Sequence, residues 1–129
     1  MAHAHVVSTG SNYAHRITSR QHSLVADEPM TLGGQDQGMA PFDLYLASLA
    51  ACTAITLRMY AEKKGWDLGE FSADLASDRD ADGKLHVHRK LSSSADLTDA
   101  QWQRLLEVVA NTPVTKAMRE GATITSERA

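Results

Sequence analysis

The chain has 129 residues, 43% hydrophobic and 22% charged, with a formal net charge of −3 at pH 7. That describes a single domain, 1–129, able to bury a core of its own, and it excludes a basic nucleic-acid surface and a like-charged disordered tail. The one cysteine excludes an internal disulfide, and Met-Ala-His-Ala-His lacks the basic-then-apolar pattern of a secretory leader, so a reducing cytoplasm is the expected location.

The first third reads as short strands: His5-Val6-Val7, then Tyr13 to Ser19, then Gln21 to Ala26. Ser8 to Asn12, with Gly10, supplies a turn between the first two, and Pro29 ends the third because proline has no N–H for a ladder. Leu32 to Gly38 is a loop by its glycine content. No phosphate-loop lysine follows these glycines, so they do not read as a nucleotide cradle.

Pro41 opens the strongest element. Proline suits the first helical turn, Asp43 suits its positive end, and Lys63 and Lys64 suit the last turn before Gly65. The predicted helix has about 24 residues, or roughly 36 Å. Leu44 to Ile55 is apolar or small on every side, which predicts burial all round. Asp43 and Arg58 leave less uncharged chain than the ~20 residues a membrane span needs. A helix so long and dry exceeds what this chain can wrap, so a second subunit is expected, with no membrane and no nucleic acid.

Beyond Trp66 the period returns to two. Phe71, Ala73 and Leu75 alternate with polar residues, Asp80 to Gly83 turns the chain, and Leu85, Val87, Arg89 and Leu91 form the returning strand of a hairpin. Thr98-Asp99-Ala100-Gln101 is a capping box opening a second helix, whose stripe is Trp102, Leu105, Leu106 and Val109. A third helix runs from Pro113 to Glu120 and stops at Gly121. Thr123-Ile124-Thr125 reads as a final short strand. Segregated runs of strands and helices predict an α+β fold.

Cys52 is the candidate for chemistry. A lone apolar cysteine is ordinarily a small core residue, and reactivity requires an electropositive, partly accessible setting that stabilises the thiolate. Ser48, Leu49, Ile55, Thr56, Tyr45 and Met59 share its helical face. Asp43 lies nine positions earlier, about 180° around and roughly 13 Å along the axis, so it can assist only a thiol of another subunit. His3/His5 and His86/His88 recur at strand spacing, but without a second cysteine or a suitably spaced carboxylate they predict no metal site, and no cofactor is expected.

The stretches Asp27-Glu28-Pro29, Leu32-Gly33-Gly34, Pro41-Phe42-Asp43-Leu44, Leu49-Ala50-Ala51-Cys52-Thr53, Lys64-Gly65-Trp66 and Pro113-Val114 resemble the OsmC/Ohr family, the osmotically inducible and organic hydroperoxide resistance proteins. The resemblance covers about residue 20 to the end. It implies an intertwined α+β homodimer with N-terminal strands, a long buried central helix, a hairpin, two C-terminal helices and a final strand. It further implies a thiol-dependent peroxidase in which the position of Cys52 attacks an organic hydroperoxide, a second cysteine resolves the product, and a thiol reductant regenerates the enzyme. An arginine of the glycine-rich loop region supports the family's thiolate.

This chain departs from that pattern. The resolving position is Thr112, a good helix N-cap, and the loop arginine's position is Leu32. Arg20 is the remaining candidate cation, beside Asp43 of a partner. Two readings follow. Cys52 is a one-cysteine peroxidase thiol, or it is structural in a non-catalytic dimer that either binds a small hydrophobic molecule in an apolar pocket lined by Leu44, Leu49, Ile55 and Met59 or serves as a stress-related scaffold.

Overall fold

Turn chemistry sets where the first strands begin. The Thr9 hydroxyl donates to the Ala14 carbonyl at 2.7 Å and accepts from the Ser11 N–H at 3.2 Å. This keeps residues 9–14 in a turn, so β2 begins at His15 rather than at Tyr13. Arg20 and Gln21 form the next turn, with Arg20 at φ 53. The computed structural model describes residues 1–129 as two units, Met1–Tyr45 and Leu46–Ala129.

In the first unit, β1 (His5–Ser8), β2 (His15–Ser19) and β3 (His22–Ala26) form an antiparallel sheet in chain order. Val6 opposes Ile17, and Ile17 opposes Leu24. The glycine loop that follows is tied to one buried carboxylate. Asp27 accepts the backbone N–H groups of Glu28 at 2.8 Å, Gln35 at 3.3 Å and Gln37 at 3.1 Å. The N–H of Gln37 chiefly, with those of Glu28 and Gln35 and the charge of His15, outweighs desolvation and holds its pKa below the ordinary carboxylate value. Two glycines are required for space: a Cβ on Gly34 would lie 2.0 Å from the Glu28 carbonyl oxygen, and one on Gly38 1.9 Å from that of Val25. Their role is close backbone approach.

The long helix α1 spans Pro41–Lys64, as its end signals predict. At its start the Ala40 N–H donates to the Asp43 carboxylate at 3.0 Å, satisfying a backbone group next to the positive end of the helix. Burial all round was expected with a second subunit, and the single chain covers one stripe of the helix. Within the chain only Leu49, Thr53, Leu57 and Ala61 are buried, one stripe at four-residue spacing, while Ile55 and Met59 are 55% and 65% exposed. By length and composition the helix could also cross a membrane. The buried stripe nevertheless packs on protein: Leu57 and Ala61 join Leu68, Leu105 and Val109 in the core, flanked by Trp66, Phe71 and Trp102.

The hairpin is longer than its apolar alternation indicates, with β4 at Phe71–Arg79 and β5 at Leu85–Ser93. Arg79 pairs with Leu85 at the turn, where Asp80 accepts the N–H groups of Asp82 and Lys84. The capping box opens α2 (Asp99–Val109), and Thr112 caps α3 (Pro113–Glu120), which ends at Gly121. The expected strand at Thr123-Ile124-Thr125 is not formed: residues 121–129 are irregular and exposed, with no ladder to satisfy their backbone groups. The architecture is α+β, with two antiparallel sheets and three α-helices.

The glycine requirement is open to measurement. Gly38→Ala should lower unfolding stability by about 1–3 kcal/mol through overpacking. Gly10→Ala, with nothing within 4 Å of its Cβ, should stay within ~0.5 kcal/mol. Equal urea midpoints for the two variants would contradict the loop packing.

Candidate functional site

The middle of a helix offers no free backbone donors, so support for Cys52 must come from elsewhere. It comes from the second unit. Cys52 is partly buried on α1, with its sulfur 3.8 Å from the Thr56 hydroxyl one turn on. The backbone N–H of Val114 and the hydroxyl of Thr112 also act on the thiol, lowering its pKa. Both belong to the start of α3, where Thr112 is the N-cap and Pro113 the first helical residue. The thiol therefore faces the N-terminus of a different helix, where unpaired N–H groups and the positive dipole end favour an anion.

The nearby cation is Arg89, at the inward-facing position of β5 between Val87 and Leu91. Its Nη1 donates to Thr53 Oγ1 at 2.9 Å and Thr115 Oγ1 at 3.1 Å, and its Nη2 donates to the Val109 carbonyl at 2.9 Å. All three acceptors are uncharged. Burial lowers the Arg89 pKa, as does the positive charge of Arg119, and Cys52 acts in the opposite direction.

Opposing effects set the state of Cys52. Burial, the largest, pushes the thiol up; the N–H of Val114, the hydroxyls of Thr112 and Thr56 and the charge of Arg89 together push it further down. The net result is a pKa below the ordinary thiol value. A folded pKa below the unfolded one adds stability above the ordinary thiol pKa. That gain disappears as pH falls through the lowered value.

The other expected residues are spread more widely. Asp43 lies at the start of α1, bonded to Ala40, and Arg20 lies at the exposed tip of the β2–β3 turn. Leu44 is half-buried and Leu49 is buried within the chain. Ile55 and Met59 do line a groove of about 460 Å³, with Ala54, Arg58, Glu62 and Phe71. His86 bonds Asp80 at 2.7 Å in the hairpin, and no three His, Cys, Asp or Glu residues converge as metal ligands. Sequence reasoning missed Arg89, Val114 and Thr115. Arg89 alone carried a signal, as a cation in the apolar register of Leu85, Val87 and Leu91.

The closeness of Thr112 to Cys52 yields a direct test. Thr112→Cys should form an intrachain disulfide with Cys52 under mild oxidation, seen by mass spectrometry as the loss of both thiols. Two persistent free thiols would place the start of α3 too far from Cys52.

Residues 34–127 match the family model described as OsmC-like protein. No functionally curated protein matches the sequence. Among solved structures, a proposed osmotic stress induced and detoxification response protein of Psychrobacter arcticus 273-4 aligns with TM-score 0.79 and 21% identity, over 91% of this chain and 88% of that one. An organic hydroperoxide resistance protein OsmC of Legionella pneumophila gives 0.70 and 21%, over 92% and 89%. The organic hydroperoxide resistance protein OhrB of Bacillus subtilis gives 0.63 and 23%, over 92% and 90%. At these identities the structural likeness establishes the fold.

Proposed function

This chain belongs to the OsmC-like protein family, and from that premise we propose that Cys52 reduces organic hydroperoxides as a one-cysteine thiol peroxidase. The observation that carries the reading is the placement of Cys52 against the start of α3, with Arg89 nearby. The names of the hydroperoxide resistance proteins with the same fold support the substrate class.

The Cys52 thiolate attacks the terminal oxygen of a hydroperoxide, the O–O bond breaks, and an alkoxide leaves to take a proton from water. Cys52 becomes a sulfenic acid. With threonine at position 112, a thiol from solution condenses with it, releasing water and forming a mixed disulfide. A second thiol then frees Cys52 and departs as the oxidised reductant. The site in this reading belongs to a cytoplasmic homodimer, in which Asp43 of the partner subunit, together with Arg20, orients the peroxide. The exposed Ile55 and Met59 are apolar surface suited to a second copy.

The groove at Ile55 and Met59 favours the second reading, a non-catalytic dimer that binds a small hydrophobic molecule, because Cys52 does not line it. One assay separates the two. With cumene hydroperoxide and a dithiol, peroxide loss should depend on Cys52, and a dimedone adduct should form at Cys52. Equal rates for wild type and Cys52→Ser would remove the peroxidase reading. Light scattering should separately give twice the chain mass of 14.0 kDa. A monomeric mass would remove the partner subunit's Asp43 from the site.

A further inference from the structure

In the first unit, the glycine loop and the first turn of α1 enclose a groove of about 490 Å³. Its apolar part includes Pro29, Leu32 and Phe42, of which Leu32 and Phe42 are 65% and 54% exposed. Singly scattered apolar side chains need no explanation, but several gathered in one concavity of this size form the body of a small-molecule site. Its charged part is Glu28, Asp36 and Asp43, and no Lys, Arg or His lines it. Backbone geometry holds these acids in place. The Asp36 N–H donates to the Glu28 carbonyl at 3.1 Å, which sets two acidic residues side by side. The Asp27 carboxylate, bonded inside the same loop, adds a fourth negative charge. Asp43 accepts the Ala40 N–H at 3.0 Å, so the positive end of α1 already has its anion.

We propose that this groove binds a small amphiphilic organic cation, with an aryl or alkyl body on Pro29, Leu32 and Phe42 and an ammonium among Glu28, Asp36 and Asp43. Charge complementarity selects this occupant. An anion would meet only like charge in the groove. A bare metal ion needs oxygen ligands converging on one point, and no three acidic or histidine side chains of the chain do so. Acids spread round an apolar floor suit a larger cation that carries its own apolar surface. The inference goes beyond the peroxidase reading, because every residue it uses lies within Met1–Tyr45 and none is Cys52.

The test titrates the full chain with 4-phenylbutylamine, its neutral counterpart 4-phenylbutanol and the anionic 4-phenylbutanoate, read by amide NMR shifts. The amine should shift the groove residues between Glu28 and Asp43 and bind about tenfold more tightly than the alcohol. The carboxylate should bind more weakly than either, and added salt should weaken the amine alone. Glu28→Gln combined with Asp36→Asn should bring the amine down to the affinity of the alcohol, and Leu32→Ser should weaken both. Circular dichroism confirms the fold of each variant, and Asp36→Asn alone replaces the pair if the double variant fails to fold. Equal affinities for amine and alcohol, an amine affinity unchanged by the acid substitutions, or no binding of the amine would overturn the proposal. Shifts of the same residues that follow protein concentration rather than amine would give the groove to a second copy and overturn it as well. Binding needs neither peroxide nor Cys52, so its failure leaves the peroxidase reading standing.

Discussion

One guanidinium holds the second unit's working parts in register. Arg89 reaches from β5 to Thr53 on α1, to the last residue of α2 and to the first turn of α3. Its bond to the Val109 carbonyl satisfies an acceptor that the end of α2 leaves unpaired, at the negative end of that helix's dipole. A planar fork with fixed donor directions suits this task, whereas a lysine ammonium could not span three elements at once. Hydrogen bonds to a charged group contribute about 1.5–3 kcal/mol each, enough in sum to offset the cost of withdrawing the guanidinium from water.

The same arrangement decides the character of Cys52. Partial burial alone would make it an inert apolar thiol, as a lone cysteine in a helix ordinarily is. The start of α3 counters that outcome, because the backbone N–H of Val114 and the hydroxyl of Thr112 lower the pKa of the thiol. Secondary structure made by one stretch of chain thus supplies the electrostatics that another stretch cannot generate within its own helix.

Much of this was legible in the sequence. Pro41, Asp43 and the terminal lysines fixed α1, the Thr98–Gln101 box fixed α2, and Pro113 with Gly121 bounded α3, because caps are local chemistry. Periodicity was less complete. Leu44 to Ile55 carries no polar face, so its composition could not reveal that only the stripe through Leu49, Thr53 and Leu57 is covered within the chain. The strand at Thr123–Thr125 failed for the opposite reason, since β-propensity says nothing about whether a neighbouring edge exists. The site was half legible. The motif around Cys52 singled out its position, but apart from Thr56 the groups acting on it are 37 and more residues away, and sequence distance carries no contact information. Leu32 drew attention to a missing cation, while Arg89 stood in a strand whose alternation already marked it as inward-facing.

The threonine at position 112 has a consequence for how the protein ages under oxidation. A second thiol would trap each oxidised sulfur as a disulfide at a rate set by the fold. A hydroxyl cannot, so on the proposed chemistry the sulfenic acid lasts as long as outside thiol is scarce. A further peroxide then carries it to sulfinic acid, which ordinary thiols do not reverse. The molecule would behave as a fuse, resettable while reductant is plentiful and burnt out when peroxide outruns supply.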